Sequence, residues 1–325
     1  MNKIVAHRYW WFALSLLLIL PGLVFLMIPG IGLRPSIDFA GGSMWEINLP
    51  KAQASDIHTE DIREIFAQNG LENAVVQMSE AKLPDGSTVP SAIIRSKSLD
   101  ANNAEKQQQD ILAALSAKYG EAQREQMQSV GATVSQESTR SAVLAVIGAM
   151  AVILVYLTIA FRKAPHPIRY GTCAILAMAH DVLVVLGSAS ILGYFVGLEV
   201  DSLFLTALLT IISFSVHDTI VVFDRVRENL AHRRSGESFE EVVNHSIVQT
   251  LPRSINTQLT SMFTLTALLM FGGASIRNFV IILLIGLISG TYSSIFNAAQ
   301  LLVVWENYEW RNWFRGNRSS ETASA

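Results

Sequence analysis

Long apolar runs dominate the pattern of hydrophobic and polar positions along the chain. Each has the length that a helix needs to cross a hydrocarbon core of roughly 30 Å. The composition agrees, because 50% of the 325 residues are hydrophobic and the mean hydropathy is +0.35, which is unusual for a soluble protein. The pattern therefore predicts an α-helical integral membrane protein with six transmembrane helices, at residues 9–28, 142–161, 168–192, 203–222, 254–271 and 279–304.

The first run raises the alternative of a signal peptide. It is long for the apolar region of a signal peptide, contains Pro21 and Gly22, and lacks a small-x-small cleavage site at its end. We therefore interpret residues 1–30 as a retained membrane anchor.

Basic residues are distributed unevenly over the ends and short connections of the predicted helices. The short loops on one side carry only Arg277. By the positive-inside rule, the opposite side is cytoplasmic and holds both termini. That side carries Lys3, Arg8, Arg162, Lys163, Arg169, Arg225, Arg227, Arg233, Arg234, Arg311, Arg315 and Arg318.

A water-soluble, mildly acidic segment, residues 31–139, lies between the first two predicted helices on the outer side. Period-2 alternation in "SMWEINL", "NAVVQM", "SAIIRS" and "EQMQSVG" predicts four strands. Two helices are predicted at "SDIHTEDIREIFAQNG" and "NNAEKQQQDILAALSAKYG". The order strand–helix–strand–strand–helix–strand is typical of a small α+β, ferredoxin-like domain.

Residues 140–304 are predicted to hold the other five membrane helices, and residues 305–325 a cytoplasmic tail. A cytoplasmic loop is expected at about residues 224–253. Its apolar residues recur at helical spacing, which predicts an amphipathic segment lying along the membrane surface. These apolar residues are Phe239, Val242, Val243, Ile247 and Val248.

Asp218 is an ionisable residue inside the fourth apolar run. A charge in a membrane helix costs on the order of 2.5–3.5 kcal/mol on insertion scales, so Asp218 needs partners on neighbouring helices. The fifth run carries a polar stripe at helical spacing that begins with Arg253. We expect Asp218 to pair with Arg253 and to form a proton path with this stripe, which comprises Arg253, Asn256, Thr257, Thr260, Ser261 and Thr264.

Less specific interpretations remain open for several of these polar residues. Serine and threonine in membrane helices often bond only to backbone carbonyls. The pair His180 and Asp181 is equally compatible with a structural and a functional role. Asp224, Arg225 and Arg227 are typical of an interfacial charge cluster that holds a helix in register.

The sequence offers little support for an enzyme. Two His-Asp pairs are present, but the other histidines are scattered over loops on both sides, and a Walker A motif is absent. We expect no catalytic residue, cofactor or metal site. The single cysteine, Cys173, excludes an internal disulfide, and the net charge of −3 gives no argument for nucleic acid.

The segment "HDTIVVFDRVRENL", residues 217–230, resembles the fourth-helix signature of the SecF family, the smaller subunits of the SecD–SecF protein-export complex. Ala40 and Ala132 stand where the family commonly has Thr and Pro, and His217 where some relatives have Asn. The resemblance extends over nearly the whole chain, through "SIDFAGGSMWEI", "SVGATVSQE", "TLPRSINTQLT", "FGGASIRNFV" and "GTYSSIFNA".

The resemblance implies one half of an RND-type transporter in the inner membrane, completed by SecD. It implies association with the SecYEG channel and outward movement of a translocating polypeptide driven by the proton-motive force. Asp218 and Arg253 would then serve proton passage, and Asp38, Gly41 and Gly42 would form a coupling turn to the outer domain. Two alternatives are a structural scaffold without proton coupling and half of a small-molecule exporter.

Overall fold

The computed structural model describes residues 4–28, 31–72, 74–83, 86–99 and 103–309. Two compact units are present, a membrane unit formed by Met1–Arg34 with Leu144–Ala325, and a sheet unit formed by Pro35–Val143. Lys3, Arg311, Arg315, Arg318 and most of the predicted tail lie outside the described residues, as do Pro84 and Asp85 in the turn between the second and third predicted strands.

The membrane unit is almost entirely helical. Short connections join its helices, which limits the arrangements available to neighbours in the chain. In chain order, the helices of the whole protein are α1 (Arg8–Met27), α2 (Ile37–Ala40), α3 (Thr59–Gln68), α4 (Ala104–Tyr119), α5 (Ala132–Ala160), α6 (Pro167–Val196), α7 (Ser202–Ala231), α8 (Phe239–Phe271), α9 (Ala274–Ser293) and α10 (Ala299–Glu306), with a π-helical segment at Ser294–Ala298 between the last two.

The sheet unit contains four antiparallel strands. They are β1 (Gly42–Asn48), β2 (Val75–Lys82), β3 (Thr88–Ser96) and β4 (Gln123–Val130), in the spatial order β2-β3-β1-β4. Strands and helices follow one another along the chain in the predicted order. β1 therefore lies in the interior of the sheet and β4 forms one edge.

Alternation along the inner strands builds the core of the sheet unit. Trp45 and Ile47 on β1 are fully buried, as is Ile94 on β3. Phe66 of α3 meets the Trp45 ring edge to face, with 5.4 Å between the ring centroids. Period-2 burial of this kind places one face of the sheet against the helices.

Five helical stretches are long and apolar enough to cross a membrane, counted over the described residues: Val5–Met27, Ala132–Ala160, Pro167–Val196, Ser202–Ala231 and Ile276–Glu306. The chain is thus a multi-pass membrane protein. The predicted run at residues 254–271 is instead the second half of α8 and is not among these spans. Its polar stripe lowers its hydropathy, so the predicted count of six helices is not reproduced.

Most of the predicted loop at about residues 224–253 is helical in the structure. α7 continues to Ala231, and α8 begins at Phe239 with a capping box formed by Ser238 and Glu241. α8 then runs without interruption through Pro252. Val243 and Ile247, on the apolar face of the expected amphipathic segment, are fully buried in the main core of the membrane unit.

Close helix contacts depend on small residues in the membrane unit. Gly22 of α1 faces Gly187 of α6, and a Cβ atom at Gly22 would lie 2.5 Å from the Gly187 Cα. Neither position can carry a side chain unless the helices separate. Small residues are common at contacts between membrane helices, because the association of these helices depends on close van der Waals packing.

Partly buried ion pairs tie together the helix ends near residue 8. Arg8 at the start of α1 pairs with Glu309 at 2.7 Å and with Glu240 of α8 at 3.1 Å. Arg169 of α6 pairs with Glu306 of α10 at 2.7 Å. Burial raises the pKa of Glu309, but the hydrogen bonds from Arg8 and Tyr9 outweigh this effect, and the pKa lies below its ordinary value.

Candidate functional site

Asp218 is buried in the membrane unit on the face of α7 that packs against α8. Asp201 is the N-cap of α7, and its carboxylate accepts a hydrogen bond of 2.7 Å from the Phe204 backbone N–H. Asp218 is 2% exposed, and its Oδ2 accepts a hydrogen bond of 2.6 Å from Nε2 of Gln258 on α8. A side-chain amide, rather than a guanidinium, is therefore the donor that contacts this carboxylate.

Among the residues that the structure describes, the predicted ion pair between Asp218 and Arg253 is not formed, and the side chain hydrogen-bonded to Asp218 is Gln258. Arg253 is exposed on the outer face of α8, whereas Ser254 and Gln258, one helical turn apart, are buried toward α7. Adjacent residues on a helix differ by about 100° in direction, so Arg253 and Ser254 cannot face the same side.

The polar stripe on α8 bonds to its own helix. The hydroxyls of Thr257, Thr260, Ser261 and Thr264 each donate to the backbone carbonyl four residues earlier, at 2.8–3.3 Å. Three of the four are exposed and Ser261 is partly buried. The hydroxyls are thus satisfied locally, and none of these bonds reaches Asp218.

A groove of about 580 Å³ lies between the outer faces of α7 and α8. Gln258 lines this groove and also contacts Asp218, so its amide connects the buried carboxylate with the outer surface. The remaining lining residues are five polar and two apolar ones, Thr206, Leu209, Thr210, Ser213, Phe214, His217 and Thr257, and most of the groove surface is apolar. The hydroxyls of Thr206, Thr210 and Thr257 donate to backbone carbonyls of their own helices.

Asp181 on α6 is a second buried carboxylate, fully enclosed by the membrane unit. Its Oδ1 contacts Ser289 Oγ at 2.6 Å and His180 Nδ1 at 3.1 Å, while Oδ2 contacts Ser215 Oγ and Ser293 Oγ, each at 2.6 Å. Three helices, α6, α7 and α9, thus meet at one carboxylate. The sequence singled out Asp181 but left its role open.

A hydroxyl network continues from this carboxylate toward Asp218. Ser294, the first residue of the π-helical segment, donates to the Ser215 carbonyl at 2.9 Å. Thr219 also donates to that carbonyl, and its Oγ1 lies 3.0 Å from Ser294 Oγ. π-helical turns within α-helices frequently occur at functional sites.

The predicted signature at the end of α7 consists mainly of pairs within the helix. Asp224 pairs with Arg227 at 2.6 Å, and Arg225 with Glu228 at 3.0 Å, all four being at least partly exposed. Exposed pairs of this kind contribute at most about 1 kcal/mol. His217 is separate from them and lies at the groove.

Of the predicted coupling turn, Asp38 lies within the short helix α2, Gly41 follows that helix, and Gly42 is the first residue of β1. The Ser36 side chain caps α2 by accepting the Asp38 backbone N–H. Gly41 and Gly42 have φ values of 74° and 121°, and a Cβ at Gly42 would lie 2.5 Å from the Ser96 carbonyl oxygen. This turn requires glycine both for its conformation and for its packing.

Sequence reasoning missed Gln258 and the three serines around Asp181. Ser254 and Gln258 are spaced by one helical turn and lie beside the polar stripe in the sequence. The sequence alone does not show which of the two faces of α8 points inward. Ser289 and Ser293 belong to a small-residue face of α9 that did carry a signal for close packing. Within the described part of the chain, no group of three His, Cys, Asp or Glu side chains could hold a metal ion.

Comparison with known proteins places these features in a family context. The model of the family "Protein export membrane protein SecD/SecF, C-terminal" matches residues 110–308. The protein translocase subunit SecF of Thermobaculum terrenum is 47% identical and that of Anaerolinea thermophila 43% identical, each match covering 100% of both chains. SecDF of Thermus thermophilus is 34% identical over 85% of this chain and 35% of its own length.

Two solved structures resemble the chain along most of its length. The crystal structure of Thermus SecDF, a translocon-associated membrane protein, has a TM-score of 0.76 and 30% identity and covers 94% of this chain. A super-membrane-facing form of SecDF has a TM-score of 0.61 and 29% identity and covers 95%. In both cases the match spans 39% of the SecDF chain, so this chain corresponds to about two fifths of those proteins.

Proposed function

The chain belongs to the SecF family of protein translocase subunits, and from that premise we propose that it pairs with SecD and uses the proton-motive force to promote protein export through the SecYEG channel. The proposal is supported by full-length similarity to SecF subunits. A relative that contains SecD and SecF in a single chain supports SecD as the partner. In this role the chain is a non-enzymatic accessory subunit of the inner membrane.

Asp218 is the proposed proton carrier, and its contact with Gln258 beside the groove is the observation that carries the proposal. A single neutral donor satisfies only part of an ionised carboxylate, which can accept about four hydrogen bonds. Protonation is therefore a realistic alternative state for Asp218. One charge moved through 100 mV is worth about 2.3 kcal/mol, comparable with the cost of placing a carboxylate in a membrane helix.

The outer groove is the proposed route by which Asp218 exchanges its proton. His217 and Thr257 line it, and Gln258 closes it over the carboxylate. Arg253, Thr260 and Ser261 extend the same polar face along α8, so we assign them to the surface that SecD covers. In this arrangement Arg253 acts on the pathway through that shared surface and not through an ion pair within this chain.

The proposed topology has six membrane crossings and cytoplasmic termini. The second half of α8 supplies the sixth crossing, supported by its packing against both α7 and α9. Residues 31–139 form the outer domain between the first crossing and the five in residues 140–304, and residues 305–325 form the tail. The strand order β2-β3-β1-β4 with antiparallel neighbours supports a ferredoxin-like fold for the outer domain.

The turn at Asp38, Gly41 and Gly42 is the proposed coupling element of the outer domain. Its two positive φ values and close packing make it a defined turn rather than a loose hinge. Motion would therefore be transmitted through it, and a substitution at Gly42 would be disruptive.

The test is export into vesicles that contain this chain, SecD and SecYEG, with and without an uncoupler. Asp218→Asn keeps the shape and hydrogen bonding of the side chain but removes the titrating group. It should abolish the gradient-dependent part of export while insertion and pairing with SecD persist. Asp110→Asn, in the sheet unit, is the control for loss of one carboxylate and should export normally.

A non-coupled scaffold is the second candidate, favoured by the local bonding of the α8 hydroxyls and the absence of a described ion pair between Asp218 and Arg253. The scaffold predicts that Asp218→Asn exports like the parent and responds equally to the uncoupler. That result would replace the proton-carrier proposal.

A further inference from the structure

Asp181 has as many polar contacts as a carboxylate has acceptor positions, about four. Three of them are serine hydroxyls at 2.6 Å, and the Ser293 hydroxyl also lies 3.3 Å from the Gly290 carbonyl oxygen. These contacts join α7 and α9 to α6 at a single side chain.

The titratable groups that face this site are few. His180 is on the same helix, and its Nδ1 lies 3.1 Å from Asp181 Oδ1. His180 Nε2 is buried without a described partner. From α9, Tyr292 lies near His180, and its hydroxyl donates to the Trp11 carbonyl of α1. α7 contributes the Ser215 hydroxyl.

Ser215 connects α7 both with α6 and with the π-helical segment that follows α9. Its hydroxyl donates a hydrogen bond to Asp181 of α6, and its backbone carbonyl accepts one from the Ser294 hydroxyl. Gly286 of α9 permits the close approach, since a Cβ there would overlap the Ile211 side chain of α7. Ser215 and Thr219 flank Asp218 on α7, and both are tied to this network.

We propose that Asp181 is a positioning residue for Asp218: its contacts with Ser215, Ser289 and Ser293 fix the turn from Ser215 to Thr219 against α9, so that Asp218 faces Gln258 and the groove. The inference rests on the proposed function, because it takes Asp218 to be the carboxylate that gains and loses a proton.

The test is infrared titration of protonated carboxyl groups in the complex with SecD, reconstituted in lipid. The parent should show a titrating buried carboxyl band that Asp218→Asn removes. Asp181→Asn should keep this band but shift its midpoint by about one pH unit, the scale on which neighbouring hydrogen bonds and charges act. Ser215→Ala should also shift the midpoint, whereas Ser190→Ala, at a buried serine of α6 without a described hydrogen bond, should leave it in place.

Two results would overturn the inference. Loss of a titrating band in Asp181→Asn would mean that Asp181 itself exchanges a proton, and an unchanged midpoint would mean that it does not position Asp218. A parent band insensitive to Asp218→Asn would instead refute the proposed function and, with it, the positioning role.

Discussion

Asp181 and Asp218 lie on neighbouring helices and are almost equally buried, yet their surroundings differ sharply. Asp181 contacts three serine hydroxyls and one imidazole, drawn from α6, α7 and α9. Asp218 accepts from one amide of α8 and lies beside a groove. Burial alone therefore does not describe how a carboxylate is held in the membrane unit.

In the proposed account, the two buried acids have different tasks. Hydrogen bonds to charged groups contribute about 1.5–3 kcal/mol each, so several of them offset much of the cost of burying a carboxylate. Asp218, with one described donor, lacks that support. We infer that the number of donors separates the positioning acid from the exchanging one.

The largest expected effect after loss of Asp218 itself is that of Gln258→Leu. This change removes the donor described for Asp218 and leaves the charged form less favourable. Gradient-dependent export in SecD-containing vesicles should fall at least about tenfold, equivalent to roughly 1.4 kcal/mol. Gln300→Leu is the matched control, because the Gln300 amide is buried without described partners and its replacement should cost little. Equal export by Gln258→Leu and the parent would show that the amide does not matter.

Ser293→Ala tests the other acid through the stability of the isolated chain. It removes one short hydrogen bond to Asp181 and should lower the free energy of unfolding in detergent by about 1.5–3 kcal/mol. The comparison with Ser190→Ala separates this loss from the general effect of deleting a buried hydroxyl. If both variants lost the same stability, the network around Asp181 would have no special contribution.

The outcome for α8 shows what the sequence could and could not predict. Periodicity identified the stripe from Arg253 to Thr264, and the small-residue face of α9 indicated a close helix contact. It could not decide the direction of the stripe, because in a membrane a polar face can point to the core or to a partner with equal periodicity. The meeting of Ser215, Ser289 and Ser293 at Asp181 depends on the packing of three helices, which no local pattern encodes.

The sheet unit was more predictable, because period-2 alternation and helix end signals are local. "SMWEINL" indicated β1, and the burial of Trp45 and Ile47 follows that alternation. The continuous helix α8 was missed because an internal proline usually ends a helix. Here Pro252 is accommodated within a helix whose first half is buried at Val243 and Ile247.

Arg253→Leu should produce a smaller effect on the isolated chain. Arg253 is exposed and makes no described ion pair with Asp218, so the free energy of unfolding should change by no more than about 0.5 kcal/mol. Recovery of SecD during purification should decrease, because this face is the proposed shared surface. A loss of several kcal/mol in the chain alone would indicate that Arg253 does support Asp218 within this subunit.

The smallest expected effect is the pH dependence at Glu309. Burial opposes ionisation, but the bonds from Arg8 and Tyr9 lower the pKa below the ordinary value of 4.5. A carboxyl with a depressed pKa stabilises the folded state above its unfolded pKa, and this contribution is lost as the pH falls through the folded pKa. Thermal unfolding of the parent should therefore show a small additional loss below about pH 4.5 that Glu309→Gln lacks. Identical pH profiles would contradict this.

Proton flux into sealed vesicles that contain the complex with SecD tests the central claim most directly. An imposed gradient should drive a measurable flux through the parent and through Asp110→Asn. The account predicts that Asp218→Asn abolishes this flux while the amounts of chain and SecD in the vesicles stay the same. A flux through Asp218→Asn equal to that of the parent would contradict the assignment of Asp218 as the acid that exchanges a proton.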